Sequence, residues 1–317
     1  MHAGTRMFGP LFAAAITAIV IAIALAVNTL IVDRNTRVAT PRDGGHLVET
    51  NIVRANVKVD GIGPPIVMIH GFSAALDWWD DIVPDLSANH RVIRVDLIGH
   101  GGTAAPASGY SIERQAALVA AILDKLQTSK VTGIGHSMGG EVAGALAAAR
   151  PDLIERLILI DSPAKKVVKF DLATRAYLTP VLGQLLSHLI TDRAIRHGLA
   201  QGFAPDFPVP DRFVGDVRQL TYTAFRSAHD DGVAYQVKQP AYERLAALHP
   251  APPLLVIFGA QDALVPARTA QLFEQVPGAR IVYVEGAGHS PMVERPADTL
   301  ELIKSFLPDS TGDQNVR

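Results

Sequence analysis

The chain has no cysteine in 317 residues. That excludes disulfides, thiol nucleophiles and cysteine-ligated zinc together, and fits any compartment. Charge of one sign is also lacking: the formal net charge is -2, so no basic field marks a nucleic-acid surface. The histidines show no H-E-x-x-H or comparable ligand spacing, so the sequence implies no metal and no other cofactor. Gly99-His100-Gly101-Gly102 lacks the lysine that ends a phosphate-cradling loop. What is present is length enough for one large α/β domain carrying an insertion.

One long hydrophobic run stands out. Residues 11–32 carry no charge and are broken only by Thr17, Asn28 and Thr29. The run exceeds the ~18 residues of a transmembrane candidate and is apolar on every face. A single-pass N-terminal anchor after a tail at 1–10 is therefore expected, with a membrane localisation. Ala24-Leu25-Ala26 offers the alternative of a cleaved signal and an exported domain. Arg34, Arg37 and Arg42 outnumber Arg6, which leans towards a cytoplasmic catalytic domain and leaves the side open. Residues 33–45, with Pro41 and Gly44-Gly45, read as a linker.

Beyond it the pattern alternates strand and helix. Residues 46–59 suggest two edge strands, the continuous apolar runs at 66–69 and 157–160 suggest strands buried in the sheet, the first on both faces, and 91–95, 131–135, 254–258 and 280–284 supply further strands. Between them residues 111–126 have helical spacing behind Ser111, a plausible N-cap. This alternation predicts a doubly wound, mostly parallel sheet over 46–163 and 249–308. Residues 164–248 interrupt it with helical stretches at 174–189 and 212–228 and no convincing strand. They read as a helical cap over the site, and 309–317 as a polar tail.

Residues 131–140, Val-Thr-Gly-Ile-Gly-His-Ser-Met-Gly-Gly, carry the chemistry. Gly135, Ser137 and Gly139 fit the G-x-S-x-G elbow, in which a serine sits on a strained strand-to-helix turn at a helix N-terminus. A serine hydroxyl needs a base, and the base needs an orienting acid. Asp262 and His289 follow in that chain order, each in a glycine-containing loop just past a buried strand.

From about residue 46 to 307 the chain thus resembles the α/β-hydrolase family. The resemblance implies Ser137 as nucleophile, His289 as general base and acid, Asp262 as orienting acid, and an oxyanion hole from the backbone N–H groups of Phe72 and Met138. Ser137 at the elbow, in place of aspartate, argues against epoxide hydrolases and haloalkane dehalogenases. The expected activity is a serine hydrolase acting through an acyl-enzyme on an ester of a mainly hydrophobic, small or lipid-like substrate. A perhydrolase, a carbon–carbon bond hydrolase, an acyltransferase and a non-catalytic ligand receptor are the alternatives. Asp161 is the rival to Asp262. His70, His136, His100, Asp96, Trp78 and Trp79 read as structural or pocket-wall residues, and Glu113 and Glu141 as solvated helix charges.

Overall fold

The computed structural model describes residues 9–32, 37–166, 170–179 and 182–308. Strands β1 (His46–Glu49), β2 (Arg54–Asp60), β3 (Pro65–Ile69), β4 (Arg91–Val95), β5 (Val131–His136), β6 (Ile154–Ile160), β7 (Leu254–Gly259) and β8 (Arg280–Val284) form one sheet in the order β1-β2-β4-β3-β5-β6-β7-β8. The β1–β2 and β2–β4 pairs are antiparallel, and every pair from β4 to β8 is parallel.

The continuous apolar runs mark strands with two buried faces. Val67 and Ile69 of β3 enter one core cluster while Ile66 and Met68 enter the other. In β6, Leu157 and Leu159 face the first cluster and Ile158 and Ile160 the second. A period of two thus feeds both cores from the same strand. Helices α1 (Gly9–Val32), α2 (Val83–Ser87), α3 (Ile112–Lys125) and α4 (Met138–Ala149) precede the insertion. Ser111 caps α3, its hydroxyl accepting from the Arg114 N–H at 3.2 Å.

Between β6 and β7 come α5 (Leu172–Leu178), α6 (Leu182–Ser187), α7 (Asp192–Ala200), α8 (Asp211–Gln219), α9 (Tyr222–Lys238) and α10 (Ala241–Ala246). The stretch 212–228, read as one helix, is two. Thr221 leaves helical geometry and its hydroxyl accepts from the Ala224 N–H at 3.0 Å, capping a new helix. Helices α11 (Pro291–Glu294) and α12 (Pro296–Lys304) close the chain, and the tail expected at 309–317 lies outside the described residues.

The expected transmembrane anchor and the membrane localisation drawn from it need correction. Among the described residues no helix is long and apolar enough to cross a membrane. Helix α1 lies against α6 of the same chain. Part of the stretch read as a linker is held on the core. Arg37 bridges to Ala105, and its guanidinium donates to the carbonyls of Gly101 at 2.7 Å and Thr103 at 2.8 Å, holding this segment on the loop after β4.

Candidate active site

Ser137 stands between β5 and α4 with φ 51° and ψ −121°, a left-handed conformation strained for a residue with a side chain. The turn is this tight because its flanks carry no Cβ. A Cβ on Gly135 would lie 2.3 Å from the Gly139 carbonyl oxygen, and one on Gly139 would lie 2.1 Å from that of Ile69. Both obstacles are backbone, which cannot swing aside. Met138 opens α4, where the first N–H groups have no intrahelical acceptor, and Phe72 follows the end of β3 beside it.

The structure brings Ser137, Asp262 and His289 together from three strand ends. His289 Nε2 lies 2.9 Å from Ser137 Oγ, and His289 Nδ1 lies 2.7 Å from Asp262 Oδ2. The other oxygen of Asp262 accepts the Leu264 and Val265 N–H groups, each at 2.9 Å, so the carboxylate cannot rotate. Burial works to raise the Asp262 carboxyl, but the His289 imidazole and these hydrogen bonds outweigh it and hold Asp262 below its ordinary value.

Asp161, the rival acid at the end of β6, joins the same cluster: its carboxylate comes within 4.8 Å of the Asp262 and His289 ligand atoms. Its burial, followed by the charge of Asp262, pushes Asp161 well above the carboxylate range. Both effects disfavour the ionised form of Asp161. Its Oδ1 accepts from the Gly259 N–H at 2.9 Å.

His136 donates from Nε2 to the His289 carbonyl at 2.7 Å and stacks near Trp78, with ring centroids 6.2 Å apart. Burial, reinforced by His289, lowers it to about 3, so it stays neutral. His70 accepts the Leu97 N–H at Nε2 (3.0 Å), tying β3 to the loop after β4. In that loop Asp96 accepts from Asn56, Leu76 and Gly102, each at 2.8 Å. His100 packs on His70 at 5.2 Å. Trp78 stacks on Phe213 of α8 at 3.9 Å and donates to Asp216 at 3.0 Å, joining core and insertion.

A cavity of about 450 Å³ opens above Ser137 and His289. Its wall is mainly apolar, with Phe72 and Trp78 from the core and Phe170, Ile195, Phe225 and Val233 from the insertion. Two residues here escape a reading of local sequence. Glu294 is buried, and its carboxylate accepts from the N–H groups of Gly288 and Ser290 at 3.0 Å, bracketing His289. The same carboxylate accepts from Ala204 of the insertion at 2.6 Å. No motif announces it; only its place five residues after His289 hints at a role. Glu141, read as a solvated charge, is 4% exposed and lines the cavity, because α9 lies over the face of α4 that carries it. Glu113 is exposed as expected.

Comparison with known proteins places this geometry in context. Residues 66–302 match the model of the alpha/beta hydrolase family. Pimeloyl-[acyl-carrier protein] methyl ester esterase of Neisseria meningitidis is 32% identical over 255 residues, covering 76% of this chain and 76% of that protein. The 2-hydroxy-6-oxo-2,4-heptadienoate hydrolase of Pseudomonas putida is 26% identical over 289 residues, covering 83% and 96%. Among solved structures, an esterase of Exiguobacterium antarcticum superposes with a TM-score of 0.71 at 20% identity, over 83% of this chain and 98% of that one. At that identity the likeness is one of fold.

Proposed function

Because the chain belongs to the alpha/beta hydrolase family, we propose that it is a serine hydrolase cleaving a carboxylic ester, or a related acyl bond, of a mainly hydrophobic small molecule. The observation that carries this reading is the hydrogen-bonded line from Asp262 Oδ2 through His289 to Ser137 Oγ at the floor of an apolar cavity.

In this reading His289 Nε2 takes the Ser137 proton as Oγ attacks the carbonyl carbon. The negative charge on the former carbonyl oxygen faces the Met138 and Phe72 N–H groups, donors that need no reorganisation because the backbone fixes them. The imidazolium gives its proton to the departing alcohol, leaving an acyl group on Ser137. Water then gives a proton to His289 and its oxygen attacks the acyl carbon. The carboxylic acid leaves and Ser137 recovers its proton. Asp262 holds the Nδ1–H tautomer throughout and stabilises the cation. A relative of this chain is a methyl ester esterase, which supports the ester class.

The test is labelling of the full chain with an active-site fluorophosphonate, followed by mapping of the adduct by mass spectrometry. An adduct on Ser137 that is lost in His289→Ala agrees with the reading, and esters of increasing chain length then define the acyl pocket. A folded protein that takes no label, or takes it elsewhere, overturns it.

A further inference from the structure

Glu141 follows Ser137 by four residues. It therefore stands on the same face of α4, about 6 Å further along the axis, with its Cα–Cβ bond tilted back towards the serine. Its Oε2 accepts from Gln236 Nε2 of α9 at 3.2 Å. Its Oε1 is buried without a hydrogen-bond partner, and both residues line the cavity. Arg244 of α10, a cation near Glu141, is engaged elsewhere: it stacks on Tyr235 at 3.9 Å and donates to the Tyr235 and Gln239 carbonyls at 3.0 and 3.1 Å. Burial raises the Glu141 carboxyl to about 8, against smaller lowering effects of Gln236 and Arg244. At neutral pH the side chain is a carboxylic acid. Since Oε2 is already accepting, the proton belongs on Oε1, where it has nothing to donate to.

A buried donor without an acceptor is a cost that a ligand oxygen removes, and such a site discriminates strongly between ligands with and without that oxygen. We propose that Glu141 and Gln236 form a recognition subsite for a neutral oxygen acceptor, a ketone or similar carbonyl, carried on the acyl chain about one helical turn from the scissile carbonyl. The inference rests on the serine hydrolase reading and names its substrate class: an apolar acyl chain bearing one inner carbonyl. Glu141 supplies the donor. Gln236, by donating to Oε2, fixes which oxygen carries the proton. Because Oε1 is fixed on α4, one helical turn from Ser137, the position of the group along the chain is specified as well as its presence.

The experiment compares kcat/KM for p-nitrophenyl 5-oxohexanoate and p-nitrophenyl hexanoate, with fluorophosphonate labelling of Ser137 run on every variant. The wild type prefers the oxo ester by about tenfold, the order expected of one well-placed hydrogen bond. Glu141→Met and Gln236→Leu bring that ratio towards one, while the hexanoate, now facing an apolar wall, turns over faster. Glu141→Gln retains the preference, because its amide both accepts from Gln236 and donates to the ligand. Equal ratios in wild type and Glu141→Met overturn the subsite. So does turnover of neither ester by a protein that still labels at Ser137. Absence of both label and turnover overturns the hydrolase reading, and the subsite with it. Should Glu141→Met fail to fold, Gln236→Leu decides.

Discussion

Replacing Asp262 by asparagine tests the line of hydrogen bonds at its most informative point. Asp262 Oδ1 accepts the Leu264 and Val265 N–H groups. An asparagine at 262 must keep its carbonyl oxygen there, because an NH₂ group facing two donors is repelled. Its NH₂ then occupies the place of Oδ2, 2.7 Å from His289 Nδ1. A donor at that place forces Nδ1 to accept and puts the imidazole proton on Nε2, facing Ser137 Oγ. The base is then in the wrong tautomer to take the serine proton, with nothing displaced in space. The expected loss in kcat is about 10⁴-fold, or ~5.4 kcal/mol of barrier. The companion variant Asp161→Asn keeps an acceptor for the Gly259 N–H and a donor for Asp262, so its loss stays within about tenfold. The assay is kcat for a p-nitrophenyl ester alongside the rate of fluorophosphonate labelling. A larger loss from Asp161→Asn than from Asp262→Asn would refute the argument and move the orienting acid to β6.

Three further outcomes follow from the geometry. Asp77 and Asp216 face each other between core and insertion, with Asp43, Asp80 and Arg212 near them; burial raises Asp77 to about 6 and Asp216 to about 8. The native state thus keeps a proton that the unfolded chain releases above about pH 4, so stability falls as pH rises from there to about 8. Asp216→Asn should flatten that fall in thermal melts, and an unaltered slope would rule the pair out as its source. Glu294→Ala removes the acceptor of the Gly288, Ser290 and Ala204 N–H groups, and should cost at least ~1–3 kcal/mol in denaturant melts and lower kcat by loosening the His289 loop. Unchanged stability would mean that water replaces the carboxylate. Gly139→Ala puts a methyl group 2.1 Å from the Ile69 carbonyl oxygen and should lower stability by ~1–3 kcal/mol or more; a wild-type melt would show that the elbow can relax.

The sequence by itself determined the sheet and the residues at its strand ends. Apolar runs such as 66–69 and 157–160 must be buried on both faces, and each does feed both cores. The glycines around Ser137 are the residues the turn demands, since a Cβ there would meet backbone. These features are local: spacing within a dozen residues expresses them. Only the tertiary structure decided what lies opposite a given side chain. Glu141 is a polar helix residue until α9, 95 positions later, is laid over it and makes it a neutral acid. Asp161 and Asp262 compete as acids on paper, and the burial of the first beside the second raises the first while His289 holds the second down. Helix α1 is apolar on every face in sequence, yet it lies against α6. Charge state and partner depend on distant groups brought close, because desolvation and Coulomb energies are set by distance in space and not by distance along the chain.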